Sequence, residues 1–230
     1  MIGSRAALVS GVIGLMLSAS VVHGQLAGHY RDFQLGGDLA SVSALTGVAA
    51  SEAETVHARP AVLKNLQWRR RYTLGGAAAP DPVQDIAFSF YNDQLFRMVI
   101  DYDRDRTQGM TDADMVEAIS AMYGPTVKPV LRATRAAVVR SDLESGTRVA
   151  GWGNAEYASV LYRTSYASGF RLIVTSVRLD ALARAAETQA LRLDERDAPQ
   201  RERARQKKEA DDARASREKA RLANKAAFRP

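Results

Sequence analysis

The stretch DIAFSFYNDQLFRMVIDYD, Asp85 to Asp103, decides the fold. Ile86, Phe88 and Phe90 alternate with Asp85, Ala87 and Ser89, the two-residue period of a strand with one buried face. Asn92-Asp93 then offers a tight turn, since both residue types tolerate the left-handed backbone that two-residue hairpin loops require. On the return, Phe96, Met98, Ile100 and Tyr102 fall on one face and Leu95, Arg97, Val99 and Asp101 on the other. The pattern predicts an antiparallel hairpin.

Working outward, Val62–Thr73 alternates Leu66, Trp68, Arg70 and Tyr72 with Gln67, Arg69 and Arg71 and reads as a preceding strand. Gly75–Pro82 separates it from the hairpin, with glycine and proline breaking regular structure. Further upstream, Gly36-Gly37-Asp38 opens a helix whose apolar positions are Leu39, Val42 and Leu45, stopped by Gly47. Downstream, Thr111-Asp112-Ala113-Asp114 has the form of a capping box. Met115, Ile119 and Met122 follow at helical spacing, and Gly124-Pro125 ends the run. Three strand-like runs come next: Thr147–Trp152, Tyr157–Arg163 and Phe170–Val177. Helix-then-strands thus occurs twice, over about 36–105 and 111–178. Aligning Gly47 with Gly124 places Leu45 over Met122, Val42 over Ile119 and Leu39 over Val116. The expected fold class is α+β, two tandem helix–β–β–β units with antiparallel sheet, and a body of this size buries a self-sufficient core.

This layout resembles the tandem helix-plus-sheet units of the β-lactamase inhibitor protein class, which includes the small outer-membrane assembly lipoprotein E family. The residues that carry the likeness are Leu35-Gly36 through Gly47, Thr111 through Gly124, and the segments FSFYNDQLFRMVIDYD and TDADMVEAISAMYGP, the last two also similar to exported bacterial proteins of unknown function. The resemblance implies a binding or inhibitor scaffold without catalytic residues, over roughly Tyr30 to Val177. The chain lacks the cysteine of the lipoprotein branch, so the outer-membrane role of that branch is not carried over.

The chain has 230 residues, 46% hydrophobic and 25% charged, a composition that excludes a wholly disordered or collagenous chain. It has no cysteine, which excludes disulfides, thiolate zinc sites, iron–sulfur clusters and thiol nucleophiles. Met1–Arg5 is weakly basic, Ala6–Val22 is uncharged and apolar, and Val22 and Gly24 are small residues before a polar start at Gln25. That is the form of a cleaved secretory leader over residues 1–24. It places the rest, after cleavage near Gly24-Gln25, in the periplasm or outside the cell. An uncleaved anchor is the alternative. From Gln25 to Asp194 there are 19 basic and 19 acidic residues, whereas from Glu195 to Pro230 there are 12 and 7. Of the net charge of +6, five units therefore belong to the tail and one to Arg5.

Candidate chemistry is sparse. Asp101, Asp103, Asp105 and Asp112 occupy positions 1, 3, 5 and 12 of a calcium-type loop, whose oxygens would surround a hard cation. Arg106 stands where that loop needs glycine, and a strand precedes it, so a solvated hairpin exit with its acids paired to Arg104 and Arg106 is the competing reading. Arg69-Arg70-Arg71 after Trp68 reads as a charged sheet face in preference to a phosphate-contacting strand. His57 is a lone histidine before a turn, and Asp142 and Glu144 sit in a polar connector without signs of desolvation. No nucleophile elbow, Ser-x-x-Lys or metal-type histidine pair occurs. The sequence predicts no enzyme and no cofactor.

The tail is the distinctive element. Leu179, Leu182, Ala186, Ala190 and Leu193 form the apolar face of a packing helix over 178–194. Residues 195–230 continue as a basic helical or disordered tail, coiled-coil-like in composition. Its cations Arg201, Arg203, Arg205, Lys207, Lys208, Arg214, Arg217 and Arg221 are the candidate partner-binding residues. The expected partner is an envelope protein or an anionic envelope polymer, with anionic lipid headgroups as a further candidate contact of the basic arm, and not nucleic acid. Membrane insertion is not expected, because the tail lacks an apolar face. The sequence thus points to an exported, non-catalytic binding or assembly protein of the cell envelope. The alternative is an envelope hydrolase whose site is gathered from residues distant in sequence.

Overall fold

The computed structural model describes residues 28–70, 81–127, 146–164, 169–227 and 229. The expected leader, the acids Asp142 and Glu144, and Arg71 lie outside the described residues. The fold is α+β: an antiparallel sheet of seven strands, a two-stranded ribbon and a long C-terminal helix.

The ribbon comprises β1 (His29–Tyr30) and β2 (Phe33–Gln34). Helix α1 (Leu39–Thr46) follows, its Asp38 side chain accepting from the Ser41 amide at 2.7 Å and Gly47 ending it at φ 69°. Strands β3 (Glu54–His57), β4 (Leu63–Arg69), β5 (Val83–Tyr91) and β6 (Gln94–Tyr102) lead to α2 (Asp112–Tyr123). Thr111 and Asp114 form the capping box that the sequence predicts at the start of α2. Strands β7 (Thr147–Gly153), β8 (Tyr157–Arg163) and β9 (Phe170–Ser176) complete the large sheet, and α3 runs from Val177 to Ala227. Strand order is β3-β4-β5-β6-β9-β8-β7, antiparallel throughout. The central partners are therefore β6 and β9, far apart in sequence.

The hairpin forms as expected, with Tyr91 opposite Gln94 and positive φ at both Asn92 and Asp93. Its return strand does not keep the expected phase. A bulge between the Ser89–Arg97 and Phe90–Leu95 pairs gives β6 an extra residue at Phe96, so Leu95 joins Met98 and Ile100 in the core. The cause is local. The Gly36 amide donates to the Leu95 carbonyl at 2.7 Å and the Leu95 amide donates to the Gly37 carbonyl at 2.8 Å. The glycine segment before α1 clips onto β6 there.

On one sheet face Leu66, Phe88, Met98 and Val174 stand in register across β4, β5, β6 and β9. All four are buried, under α1, α2 and the ribbon. Burial of each such side chain is worth about 1.5–3 kcal/mol, before the entropy of ordering it. The third apolar position of each helix does not join them: Leu45 is 53% and Met122 40% exposed. Two turns of each helix suffice to cover the sheet.

The opposite face carries Val99, Val160, Tyr162 and Ile173 and is crossed by the start of α3. The face of α3 that packs consists of Leu179, Asp180, Ala183, Ala186 and Ala190. Leu182, expected inside, is 41% exposed, and Leu193 is half-buried. Beyond Leu179 the helix meets the sheet mainly through the small alanines Ala183, Ala186 and Ala190, which allow close approach. No break separates this segment from the tail. Pro199 lies inside the helix, where it withholds the amide that would bond the Glu195 carbonyl and crowds that carbonyl with its ring.

Candidate functional site

The four carboxylates of the calcium-type loop are placed, and they do not face one another as a cage. Asp101, on β6, accepts from Nε and Nη2 of Arg171 at 2.6 and 2.8 Å. Asp103 pairs with Arg70 and also accepts from the Asp105 amide. Burial raises the Asp103 carboxyl, but the Arg70 guanidinium and the amides of Asp105 and Arg106 outweigh it and hold it below the usual range. Asp105 is exposed, and Asp112 pairs with Arg163 at 2.7 Å. The paired arginines come from distant strands, not from Arg104 and Arg106 beside the acids. Among the described residues no group of three His, Asp or Glu side chains gathers in a way that could hold a metal. Asp101 and its neighbours instead form a row across the sheet: Arg69, Asp85, Asp101 and Arg171 are register partners on β4, β5, β6 and β9. Burial, and next the facing Asp101, push the Asp85 carboxyl up. Of the arginine triplet, Arg69 and Arg70 thus serve the sheet.

Beside this loop lies a cleft of about 610 Å³, lined by Arg104, Gln108, Met110, Arg163 and Phe170 among others. The Arg163 guanidinium lies 4.5 Å over the Phe170 ring and is neutralised by Asp112. The walls carry both signs of charge.

Helix α3 offers a more ordered arrangement. Every described residue from 198 to 227 is exposed, so about thirty residues stand clear of the body. The root is tied down by Arg59, whose guanidinium reaches Asp197 at 2.7 Å and Asp194 at 3.7 Å. Asp180, the one charged residue in the packed face, pairs with Arg184 and lies in the field of Arg97, while burial raises its carboxyl.

At about 100° per residue the side chains of α3 sort into distinct sides. Positions 203, 207, 214, 217, 221 and 225 fall within an arc of roughly 80°, and 192 and 196 extend that line toward the body. Arg192, Arg196, Arg203 and Lys207 are the first four of these residues; Arg214, Arg217, Arg221 and Lys225 are the rest. No acid of α3 falls in this arc. Glu202 and Glu209 lie on one flank, Asp211 and Glu218 on the other. The stripe is centred roughly 130° from the packed face of Leu179, Ala183, Ala186 and Ala190, so it looks away from the sheet.

Of the cations the sequence singles out, Arg203, Lys207, Arg214, Arg217 and Arg221 belong to this stripe. Arg201, Arg205 and Lys208 do not. Arg201 pairs with Asp194, and Arg205 with Glu202 and Glu209. Arg192, Arg196 and Lys225 complete the stripe and were recoverable by extending the helical period across Pro199. Within the stripe Arg196 contacts Asp197 and Arg221 contacts Glu218. The mean spacing of one cation per turn, with gaps at Pro199 and Ala210, gives a line roughly 50 Å long from position 192 to position 225.

No protein-family model matches the chain, and no match is found among curated proteins or solved structures.

Proposed function

We propose that this chain is a non-catalytic binding or assembly protein, exported to the cell envelope, whose body serves to hold α3 and whose contact element is the basic stripe of that helix. The observation that carries this reading is the exclusion of acids from one side of α3: the side away from the sheet presents cations and no carboxylate, and from residue 198 onward the helix is exposed. A helix polar all round gains nothing from packing, and ion pairs at three or four residues add only about 0.2–0.5 kcal/mol each. Self-stabilisation alone does not require such segregation. An outward-facing binding surface does.

The tandem-unit architecture belongs to the same proposal. Two helix–β–β–β units joined through their last strands, β6 and β9, are consistent with the continuous strand order. Two of the three aligned pairs behave alike, Val42 and Ile119 being buried and Leu45 and Met122 exposed, whereas Leu39 is buried and Val116 half-buried. That arrangement would suit the inhibitor-like scaffold class that the sequence resembles. The test is recovery of partners from native envelopes with the intact chain and with a chain ending at Ala198. A partner held by the intact chain alone supports the reading. The same partner held equally by both chains moves the contact to the sheet and defeats it.

A further inference from the structure

We infer that the stripe on α3 is an adsorption face for an anionic lipid bilayer, with the helix lying flat on the headgroups and inserting nothing. This rests on the reading of α3 as the contact element and names the surface it meets. Three observations favour a bilayer over a single polymer strand. The stripe runs for roughly 50 Å at the helical rise per residue, a length that suits an extended surface. It extends, with gaps at Pro199 and Ala210, from Arg192 and Arg196 near the packed root of α3 to Lys225 near the helix end. It also points away from the sheet, so the body lies behind the helix and leaves the line free to contact a flat surface along its whole length. The stripe's apolar side chains are the small Pro199 and Ala210, and Leu222 lies elsewhere on the helix. Interfacial insertion, which needs an apolar face, is therefore not available, and attraction to headgroups is the remaining source of affinity.

Each Lys or Arg near an anionic membrane surface contributes on the order of a fivefold change in partition. At 0.1 M salt the screening length, about 10 Å, is close to the helix diameter, so cations on the far side of α3 contribute little. The side, not the total charge, then decides binding.

The experiment compares two variants of the intact chain with equal charge loss. One is R203Q/K207Q/R214Q/R217Q, on the stripe; the other is R201Q/R205Q/K208Q/K219Q, off it. Partition is measured by vesicle co-sedimentation at 0.1 M salt, on phosphatidylcholine vesicles with and without one-third phosphatidylglycerol. The ratio of the two partitions is the readout. Any charge-independent contribution of the apolar segment Ala6–Val22 cancels in it. Circular dichroism confirms that each variant keeps its helix. The stripe variant should lose the preference for anionic vesicles by a hundredfold or more, and the off-stripe variant by less than about tenfold. Equal losses would overturn the adsorption face while leaving α3 a charged contact element. An intact chain that shows no preference for anionic vesicles but retains soluble polyphosphate would also overturn it, in favour of a linear polymer. Indifference to vesicles and polyphosphate, with no partner recovered from envelopes, would defeat both readings of α3.

Discussion

Removal of the Arg171 guanidinium tests whether the charge row across the sheet is a structural unit. In R171M a side chain of similar reach replaces the cation, and Asp101 is left facing Asp85 across β5 and β6. The Arg171–Asp101 contact is bidentate, with Asp101 12% and Arg171 26% exposed at their side chains. Breaking a fully buried pair costs about 3–5 kcal/mol, and an exposed pair about 0–1. With one partner a quarter exposed, about 2–3 kcal/mol is expected. For a domain of this size that is a fall in Tm of roughly 5–10 °C at pH 7.

The pH dependence gives the sharper check. The Asp85 carboxyl is already raised by burial and by Asp101. A carboxyl raised in the folded state binds a proton there more readily than in the unfolded chain, so its contribution to stability grows as pH falls toward the folded pKa. Without Arg171 this effect strengthens, because its positive charge no longer lowers the Asp85 carboxyl or offsets the facing Asp101. The Tm deficit of R171M should therefore shrink between pH 7 and pH 4.5, and D85N in the same background should recover much of it at pH 7. Thermal melts of the three chains at both pH values decide the matter. A deficit that stays constant or widens on acidification would refute the reasoning.

Other outcomes follow from single contacts. Ser120→Ala leaves the buried Trp152 Nε1–H without the hydroxyl it meets at 3.0 Å, a loss of about 1–3 kcal/mol visible in denaturant melts. Gly153→Ala should destabilise by about 3 kcal/mol or more, since its φ is 129° and a Cβ would sit 2.1 Å from the Tyr157 carbonyl oxygen. Asp93→Gly should raise stability by a few tenths to about 1 kcal/mol, because the second hairpin position has φ 66° and glycine adopts it without strain. A chain ending at Ala198 should melt within about 2 °C of the intact chain, since the residues removed are exposed, while losing far-UV helical signal.

Much of the fold was legible because its signals are local. The β5–β6 hairpin, both capped helices and the three strands of the second half follow from period, turn residues and caps. Three strands were not anticipated: β1, β2 and β3 are only two to four residues long, too short to show a period. The phase of Leu95 was misassigned because the bulge is imposed by Gly36 and Gly37, a contact made about sixty positions away in the chain. Leu182 was placed inside because hydrophobicity alone favours leucine over alanine, whereas the sheet admits the smaller side chain. The calcium-type spacing was correct as arithmetic. The arginines that occupy those acids, Arg70, Arg163 and Arg171, come from other strands, and sequence distance hides them. The stripe, by contrast, was half visible. Its cations were singled out together with Arg201, Arg205 and Lys208, and only the unbroken helix through Pro199 separates the two sides.

The pairing of β6 with β9 bears on the order in which the chain acquires its structure. Asp101 and Arg171, partners at the centre of the sheet, are 70 residues apart. Until residue 176 has been synthesised, β6 is an open edge with unpaired amides and carbonyls and with Met98 and Ile100 incompletely covered. Closure of so long a loop is slow compared with hairpin or helix formation. The first half therefore spends its early life as a nascent hairpin and helix rather than a finished unit. A chain arrested before β9 should be readily cut by proteases and prone to edge-to-edge association. The last strand acts as a latch, and the helix that follows it without an intervening residue is set in place at the moment of closure.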